Sequence, residues 1–237
     1  MTRAAEFWNT VYDNDTAPWV IGEPQPAIVE LERTGAIRGR VLDPGSGAGE
    51  HTILLTALGY DVLGIDLSPS AVDYARRNAA TKGVPNARFD VVDVLAIADH
   101  RPQDFGPFDT IVDSALFHVF GEDPEARAGY VRGLHAICAP GGLVHILALS
   151  DAEPGFGPRI SESIIRESFA DGWELEDLRP ARYRGRNTEV VAEEKKLTLR
   201  EVVIDQFERG PLVGTPDRIA QQIDDFVQND GSDGFIL

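Results

Sequence analysis

Residues 41–52 read VLDPGSGAGEHT: an apolar run, an acid, then glycines at every second position before a helical pattern begins. Gly45, Gly47 and Gly49 lack a Cβ, so the main chain there is able to take positive φ and come close to another group. A strand that runs through such a loop into a helix presents backbone N–H groups to a ligand. Downstream, EHTILLTALGY carries Ile53, Leu54, Leu55 and Leu58 at helical spacing, and DVLGID reads as a second strand. Ser68 caps a further helix with Pro69 at its first position. ARFDVVDV and FDTIVDSALF hold the third and fourth strands. RAGYVRGLHAICAPGG is a helix and a turn, LVHILALS the fifth strand, SESIIRESFADG a helix and WELEDLRPARYR a sixth strand. Strands and helices therefore alternate over residues 37–150, which predicts an α/β fold with a doubly wound, mostly parallel sheet. In such a sheet, ligands sit at the carboxyl ends of the strands.

Upstream of the glycines, PAIVELERTG predicts a helix ended by Gly35, and AAEFWNTVY a short N-terminal helix. The segment between them, NDTAPWVIGEPQP, contains three prolines and reads as irregular. The chain has 237 residues, 43% of them hydrophobic, which suits one globular domain with an extension. Its net charge of −17 disfavours nucleic acid as a partner and tolerates a cationic ligand. The lone Cys138 excludes an internal disulfide and a cysteine-based zinc site. No apolar run approaches a membrane span, and the N-terminus lacks the apolar stretch of a signal peptide, so a cytoplasmic protein without a membrane partner is expected.

A strand, a glycine loop and a helix together serve a nucleoside triphosphate, a dinucleotide or S-adenosylmethionine. No Gly-Lys-Ser/Thr follows the loop, which removes the first. The glycines form G-x-G-x-G, with Glu50 where the dinucleotide pattern wants its last glycine, which counts against a nicotinamide-dependent oxidoreductase. Asp66 ends the second strand, where a carboxylate can accept from both ribose hydroxyls. Asp93 ends the third, where an acceptor can meet an adenine amino group.

With D-x-G-x-G-x-G, an acid after strand two, an acid after strand three and P-G-G before strand five, residues 5–186 resemble the Rossmann-type S-adenosylmethionine-dependent methyltransferases. FWNTVYDNDTAPWVIGEPQP, GEHTILLTALGYDVLGID and FDTIVDSALFHVF are similar to the thiopurine-methyltransferase-like group and to heterocyclic toxin methyltransferases of actinobacteria. The resemblance implies methyl transfer from S-adenosylmethionine, yielding S-adenosylhomocysteine, to an O, N or S atom of a small aromatic or heterocyclic acceptor. It implies that Asp43 fixes the loop and meets the donor's ammonium group, and that Gly45, Gly47 and Gly49 admit its amino-acid moiety. Asp66 with Leu67 would hold the ribose, and Asp93 with Val94 the adenine. The N-terminal segment would fold over the donor as a lid, bringing Trp8, Tyr12 and Trp19 to a cation. Two residues depart from the usual pattern: Ser46 stands where the family commonly has Cys, and Ala48 where it often has Thr. Both are small enough for the loop to close.

Methyl transfer needs alignment above all, and a general base only when the acceptor's pKa lies well above ambient pH. His118 and Ser114, after the fourth strand, are the candidates for bordering the acceptor, with His118 the best-placed base; Asp113 lies beside them. His51, His135 and His145 lack metal-ligand spacing and read as packing or surface residues, and Cys138 as a buried, inert thiol. Alternatives are a thiol or halide methyltransferase, and a non-catalytic S-adenosylmethionine-binding protein.

After ARYRGR the resemblance stops. NTEVVAEEKK has the composition of a linker. Residues 197–237 resemble the end of a luciferase-like flavin monooxygenase of the nitrilotriacetate monooxygenase type, notably in VGTPDRIAQQIDDFV and DGFIL. Thr215 and Pro216 open an amphipathic helix there, and FIL reads as a short strand. This tail is far too short a fragment of such a barrel to hold flavin. The expectation is an extension over residues 187–237 that packs on the open edge of the sheet or pairs two copies as a homodimer.

Overall fold

Along each central strand, successive apolar side chains enter two separate cores, as the two-residue period of a β-strand requires. Leu42, Leu63, Ile65, Ile111 and Ile146 face one; Val41, Val62, Val112 and Leu147 face the other. The computed structural model describes residues 3–103, 105–152, 157–186 and 233–236. Its central strands are β1 (Arg40–Pro44), β2 (Asp61–Asp66), β3 (Arg88–Val91), β4 (Phe108–Ser114) and β5 (Cys138–Leu149). They pair in parallel in the order β3-β2-β1-β4-β5. Helices cover both faces, so these strands carry near-continuous apolar runs rather than an apolar–polar alternation.

On one face, α2 (Pro26–Arg33) and α3 (Glu50–Ala57) bring Ile28, Leu31 and Leu55 onto the sheet. On the other, α5 (Pro124–Ile137) supplies Tyr130, Leu134 and Ile137. α4 (Pro69–Thr81) packs Val72, Ala75 and Ala79 against Ile53 and Phe89. The predicted cap holds: Ser68 accepts from the N–H of Ala71, and Pro69 sits in the first turn. Such a cap contributes about 1 kcal/mol. α5 begins earlier than RAGYVRG suggested, because Asp123 accepts from the N–H of Ala126 and Pro124 occupies the first turn. APGG is no separate turn. β5 starts directly at Cys138 and absorbs Pro140 and Gly141, the latter at φ 72°, as an irregularity in its register with β4. The Cys138 thiol is half-buried rather than buried, and burial raises its pKa.

The predicted sixth strand narrows to β6 (Arg179–Arg182), preceded by the short α6 (Glu162–Ser168). Between β5 and β6 runs β7 (Asp233–Ile236), antiparallel to both. Residues 233–236 thus fill the slot beside β5, so the strand next to the parallel block comes from the far end of the chain and β6 forms the edge. The helix expected from Thr215, with the rest of residues 187–232, lies outside the described residues. The N-terminal helix is α1 (Arg3–Asp13), which packs on α4.

Without β7, two strands would present unpaired N–H and C=O groups, a template for association. Truncation after residue 232 is therefore expected to lower Tm and to send part of the protein into aggregates. Thermal denaturation and size-exclusion chromatography check this; an unchanged Tm and elution profile would show that β7 contributes nothing to the sheet.

Candidate active site

The glycine loop leaves β1 at Pro44 and enters α3 at Glu50. All three glycines have positive φ: 67° at Gly45, 52° at Gly47 and 79° at Gly49. A Cβ would also collide. At Gly49 it would lie 2.6 Å from Phe89, and at Gly45 3.1 Å from Leu116; at Gly47 it would meet the Tyr12 hydroxyl. The three positions therefore serve different neighbours: the β3 core, the loop after β4, and the N-terminal segment.

Asp43, at the end of β1, is 1% exposed. Its Oδ2 accepts from the N–H and the hydroxyl of Thr52, at 3.2 and 2.7 Å. Oδ1 has no partner among the described residues. Burial pushes the Asp43 carboxyl up to about 7 against the pull of Thr52, and the neighbouring Asp113 and Asp66 add to the rise. Asp66 ends β2 and clamps the loop: Oδ2 accepts from the N–H of Gly47 at 3.0 Å, and Oδ1 from the N–H of Ser68 at 2.9 Å. Burial raises its pKa too, opposed by those backbone bonds. Leu67 beside it is half-buried. After β3, Asp93 caps the 3₁₀ turn Val94–Ala96 through the N–H of Leu95, at 2.9 Å, and Val94 is buried.

The N-terminal segment closes on this group. Trp8 and Trp19 meet edge to face with centroids 5.6 Å apart, and the Trp19 indole N–H donates to the Tyr12 hydroxyl at 2.8 Å. Tyr12 also stands 6.0 Å from the Tyr74 ring of α4. Asn9 Oδ1 accepts from the Ser68 hydroxyl at 2.6 Å, which fastens α1 to the cap of α4. Lys82 donates to the Gly22 carbonyl at 2.7 Å and pairs with Glu50. Gln25 exchanges two 2.8 Å bonds with the backbone of Arg184, so the chain after β6 helps to hold the segment down.

At the end of β4, Asp113 is wholly buried. It accepts from the N–H of Leu116 and of Phe117 at 2.9 and 3.2 Å and from the Tyr130 hydroxyl at 2.8 Å. Burial raises its pKa to about 6. Ala115 then takes φ 70°, unusual for a residue with a Cβ. The turn it makes leads into the 3₁₀ segment Phe117–Phe120. His118 there is 5% exposed, and its Nδ1 accepts from the N–H of Leu149 at 3.2 Å. In the neutral ring the proton is therefore on Nε2, which has no partner among the described residues. Burial, aided by the Arg159 charge, holds His118 down at about 4. As a base it is weak; as a hydrogen-bond donor through Nε2 it is well set.

The hydroxyls of Ser46 and Ser114 are both buried without a hydrogen-bond partner. Buried polar atoms of this kind call for a missing partner. Ser46 lies in the glycine loop after β1, and Ser114 is the last residue of β4. The fold thus brings together the glycine loop, Asp43, Asp66 and the N-terminal aromatics, and sets Asp93 with Val94 after β3 and Ser114 with His118 after β4. The sequence did not single out Asn9, Gln25, Thr52, Lys82 or Arg159. Of the remaining histidines, His51 Nε2 accepts from the N–H of Gln25, His145 bonds the Ala36 carbonyl, His135 packs on Trp173 and His100 is exposed. No cluster of metal-ligating side chains occurs among the described residues. No helix among them is long and apolar enough to cross a membrane.

Comparison with known proteins agrees with this geometry. A family model described as a methyltransferase domain matches residues 38–153. The chain is 36% identical over 169 residues to a 2-heptyl-1-hydroxyquinolin-4(1H)-one methyltransferase of Mycobacteroides abscessus, covering 70% of this chain and 72% of that relative. The chain belongs to the S-adenosylmethionine-dependent methyltransferases of Rossmann type. The "Probable thiol methyltransferase 2" of Arabidopsis thaliana is 28% identical over 158 residues, 66% of this methyltransferase and 67% of that protein. A solved structure described under "Conversion of a Disulfide Bond into a Thioacetal Group during Echinomycin Biosynthesis" superimposes with a TM-score of 0.68 at 36% identity. That match covers 77% of this methyltransferase and 84% of the solved chain.

The raised carboxyls make ligand-free stability pH-dependent. The folded Asp43 titrates near 7 and the unfolded one near 4, so the folded state holds the extra proton and loses stability as pH rises from about 4 to 7. His51 and His118, both held at about 4, act in the opposite sense below about 6.5. The difference between the wild type and Asp43→Asn isolates the carboxyl. The variant is expected to gain stability relative to the wild type as pH rises from 5 to 7.5, measured by thermal denaturation; parallel curves would sink the assignment.

Proposed function

We propose that this methyltransferase binds S-adenosylmethionine between the glycine loop and the N-terminal aromatics and methylates an O, N or S atom of a small aromatic or heterocyclic acceptor. The observation that carries the reading is a pair of buried hydroxyls without a hydrogen-bond partner, Ser46 within the glycine loop and Ser114 at the end of β4, beside backbone that only glycine fits. These residues fit the donor. Gly45, Gly47 and Gly49 leave room for its amino-acid portion, and Asp43 is an anion on demand for an ammonium group. Asp66 would hold the ribose, Asp93 and Val94 the adenine end, and Trp8 and Trp19 would cover a cation, worth roughly 0.5–2 kcal/mol when desolvated. S-adenosylmethionine, when bound, supplies an activated methyl group on a sulfonium.

The chain's own residues then align and exclude water. Ser114 and His118 border the acceptor's side at the end of β4, and the docked lid removes bulk water from the site. The hydroxyquinolone and thiol in the relatives' names support an acceptor with an acidic X–H group. A cytoplasmic setting suits the lone Cys138 thiol, and the net charge of −17 disfavours nucleic acid as a partner. Pairing of two copies through residues 187–237 stays a proposal for the extension.

Calorimetric titration tests the donor site. S-adenosylmethionine is expected to bind with a micromolar Kd and NADH not to bind. Asp66→Ala is expected to weaken donor binding at least ~10-fold, about 1.4 kcal/mol, with its circular dichroism unchanged. Donor binding by the wild type would then be followed by methylation of hydroxyquinolones, phenols and thiols. Absence of donor binding would end the reading; binding with no turnover of any such acceptor would leave a cofactor-binding protein instead.

A further inference from the structure

The N-terminal lid is fastened at a buried glutamine. Gln25 is 3% exposed and sits between Pro24 and Pro26 in extended backbone, at φ −61° and ψ 131°. The two prolines restrict that backbone on either side, so Gln25 stands as a rigid post. Its own N–H goes to His51 Nε2 on α3, at 3.2 Å. Its side-chain amide grips one peptide unit after β6: Nε2 donates to the Arg184 carbonyl and Oε1 accepts from the Arg184 N–H, each at 2.8 Å. Burial raises the pKa of the neighbouring Tyr183 hydroxyl, and a hydrogen bond from the same Gln25 amide opposes the rise. Two residues further on, the N–H of Arg186 donates to the Pro18 carbonyl at 2.6 Å. Pro18 precedes Trp19, whose indole N–H bonds Tyr12, and Tyr12 lies against Gly47 of the glycine loop. The ion pair of Arg184 with Glu23, at 3.0 Å, adds little, because both side chains are more than half in water. The buried amide carries the attachment, and its loss would leave the N–H and the carbonyl of Arg184 without these bonds.

The far half of this clasp hangs on the end of the chain. Residues 183–186 follow β6 directly. β6 is the last strand of the sheet, and among the described residues β7 is its one strand partner. Arg182, the residue before the clasp, stands in register with Asp233. Ala181 and Tyr183 add packing against the core that holds Ile28 and Leu31 of α2. Main-chain bonds therefore run from β5 through β7 to β6, and Gln25 and Pro18 carry the connection from there to the lid. An unclasped lid has to be ordered when a ligand binds beneath it, and affinity falls with the fraction of molecules in which it is already closed. By linkage, a ligand that binds the closed lid tightens whatever closes it by the same factor.

We propose that Gln25 is a positioning residue of the donor site and that β7, acting through β6 and Arg184, sets how tightly the methyl donor is held. This rests on the methyl-donor reading above. The last residues of the chain then act on methyl transfer through a relay of main-chain bonds, and the glutamine is the point where that relay crosses to the lid.

The test titrates S-adenosylhomocysteine into full-length protein by calorimetry. Gln25→Ala is expected to weaken binding about tenfold. It is expected to raise the KM for S-adenosylmethionine by a similar factor with kcat little changed, because the closed site itself is intact. Truncation after residue 232 is expected to weaken binding comparably. Gln25→Ala in the truncated chain is expected to add little, since both changes open one clasp; two unrelated losses of stability would multiply instead. Because truncation also sends part of the protein into aggregates, hydrogen exchange of the wild type supplies a reading free of variants. S-adenosylhomocysteine is expected to slow the amides of residues 19–25 and those of β6 and β7 together. Three outcomes overturn the proposal: binding by Gln25→Ala equal to that of the wild type, independent effects of the two changes, or slowed exchange confined to the lid. Failure of the wild type to bind S-adenosylhomocysteine would instead bring down the donor site.

Discussion

The Asp66 carboxylate is the joint on which the site depends. One oxygen takes the N–H of Gly47, the other the N–H of Ser68. Gly47 is at positive φ and against Tyr12; Ser68 caps α4 and holds Asn9 of the N-terminal helix. A single side chain thus links the glycine loop, the end of β2, the start of α4 and, one bond further, the lid. Each oxygen keeps a lone pair beyond its backbone bond, so the same group can hold the loop and still receive a ribose. The cost is a carboxylate with little water around it. The backbone N–H groups of Ser68, Gly47 and Leu67 compensate, which is why its rise in pKa is opposed rather than unchecked.

This joint was partly legible. The spacing of the three glycines and an acid at the end of DVLGID are local patterns, set by φ and by strand termination, and they survive translation into three dimensions. So do the Ser68–Pro69 cap and the apolar runs, because a parallel strand buried on both faces carries its own signature. What escaped reading was set by partners distant in sequence. Thr52 is one turn into α3 and meets Asp43 only after the loop folds back. Nothing local marks Asn9 as the residue that meets Ser68, or Gln25 as the partner of Arg184. The start of α5 was missed for a different reason: Asp123–Pro124 is a capping signal that lies ahead of the apolar periodicity, and periodicity was followed instead. His118 lies after β4, but which of its nitrogens carries the proton depends on the Leu149 N–H, a choice of tautomer no sequence records.

The tail shows the same limit from the other side. Its polar linker and amphipathic pattern suggest a separate unit, yet four of its residues are a strand of the sheet. A two-residue period over so short a stretch says little about where a strand will lie. The neighbour decides: β5 and β6 are held apart by one strand's width, and Asp233–Ile236 supplies backbone to both. Many sequences can meet that demand, because the ladder reads main-chain groups and leaves side chains wide latitude.

Charge arranges what remains. The chain carries −17, and its buried carboxylates cluster at the ends of β1, β2 and β4, which favours a cation there. The end of β5 is different, with Arg159 and, across the 3₁₀ segment, Arg127. Under the proposed function, the sulfonium lies on the acidic side. Long-range steering by the net charge favours that cation, but solvent ions screen it beyond about 8–10 Å. Methyl transfer removes the sulfonium's charge. Beneath Trp8, Trp19 and Tyr12, where the local dielectric is low, the carboxylates act on that charge more strongly than they would in water. They therefore hold the charged donor more tightly than its neutral-sulfur product, and the same difference favours release of the product after transfer.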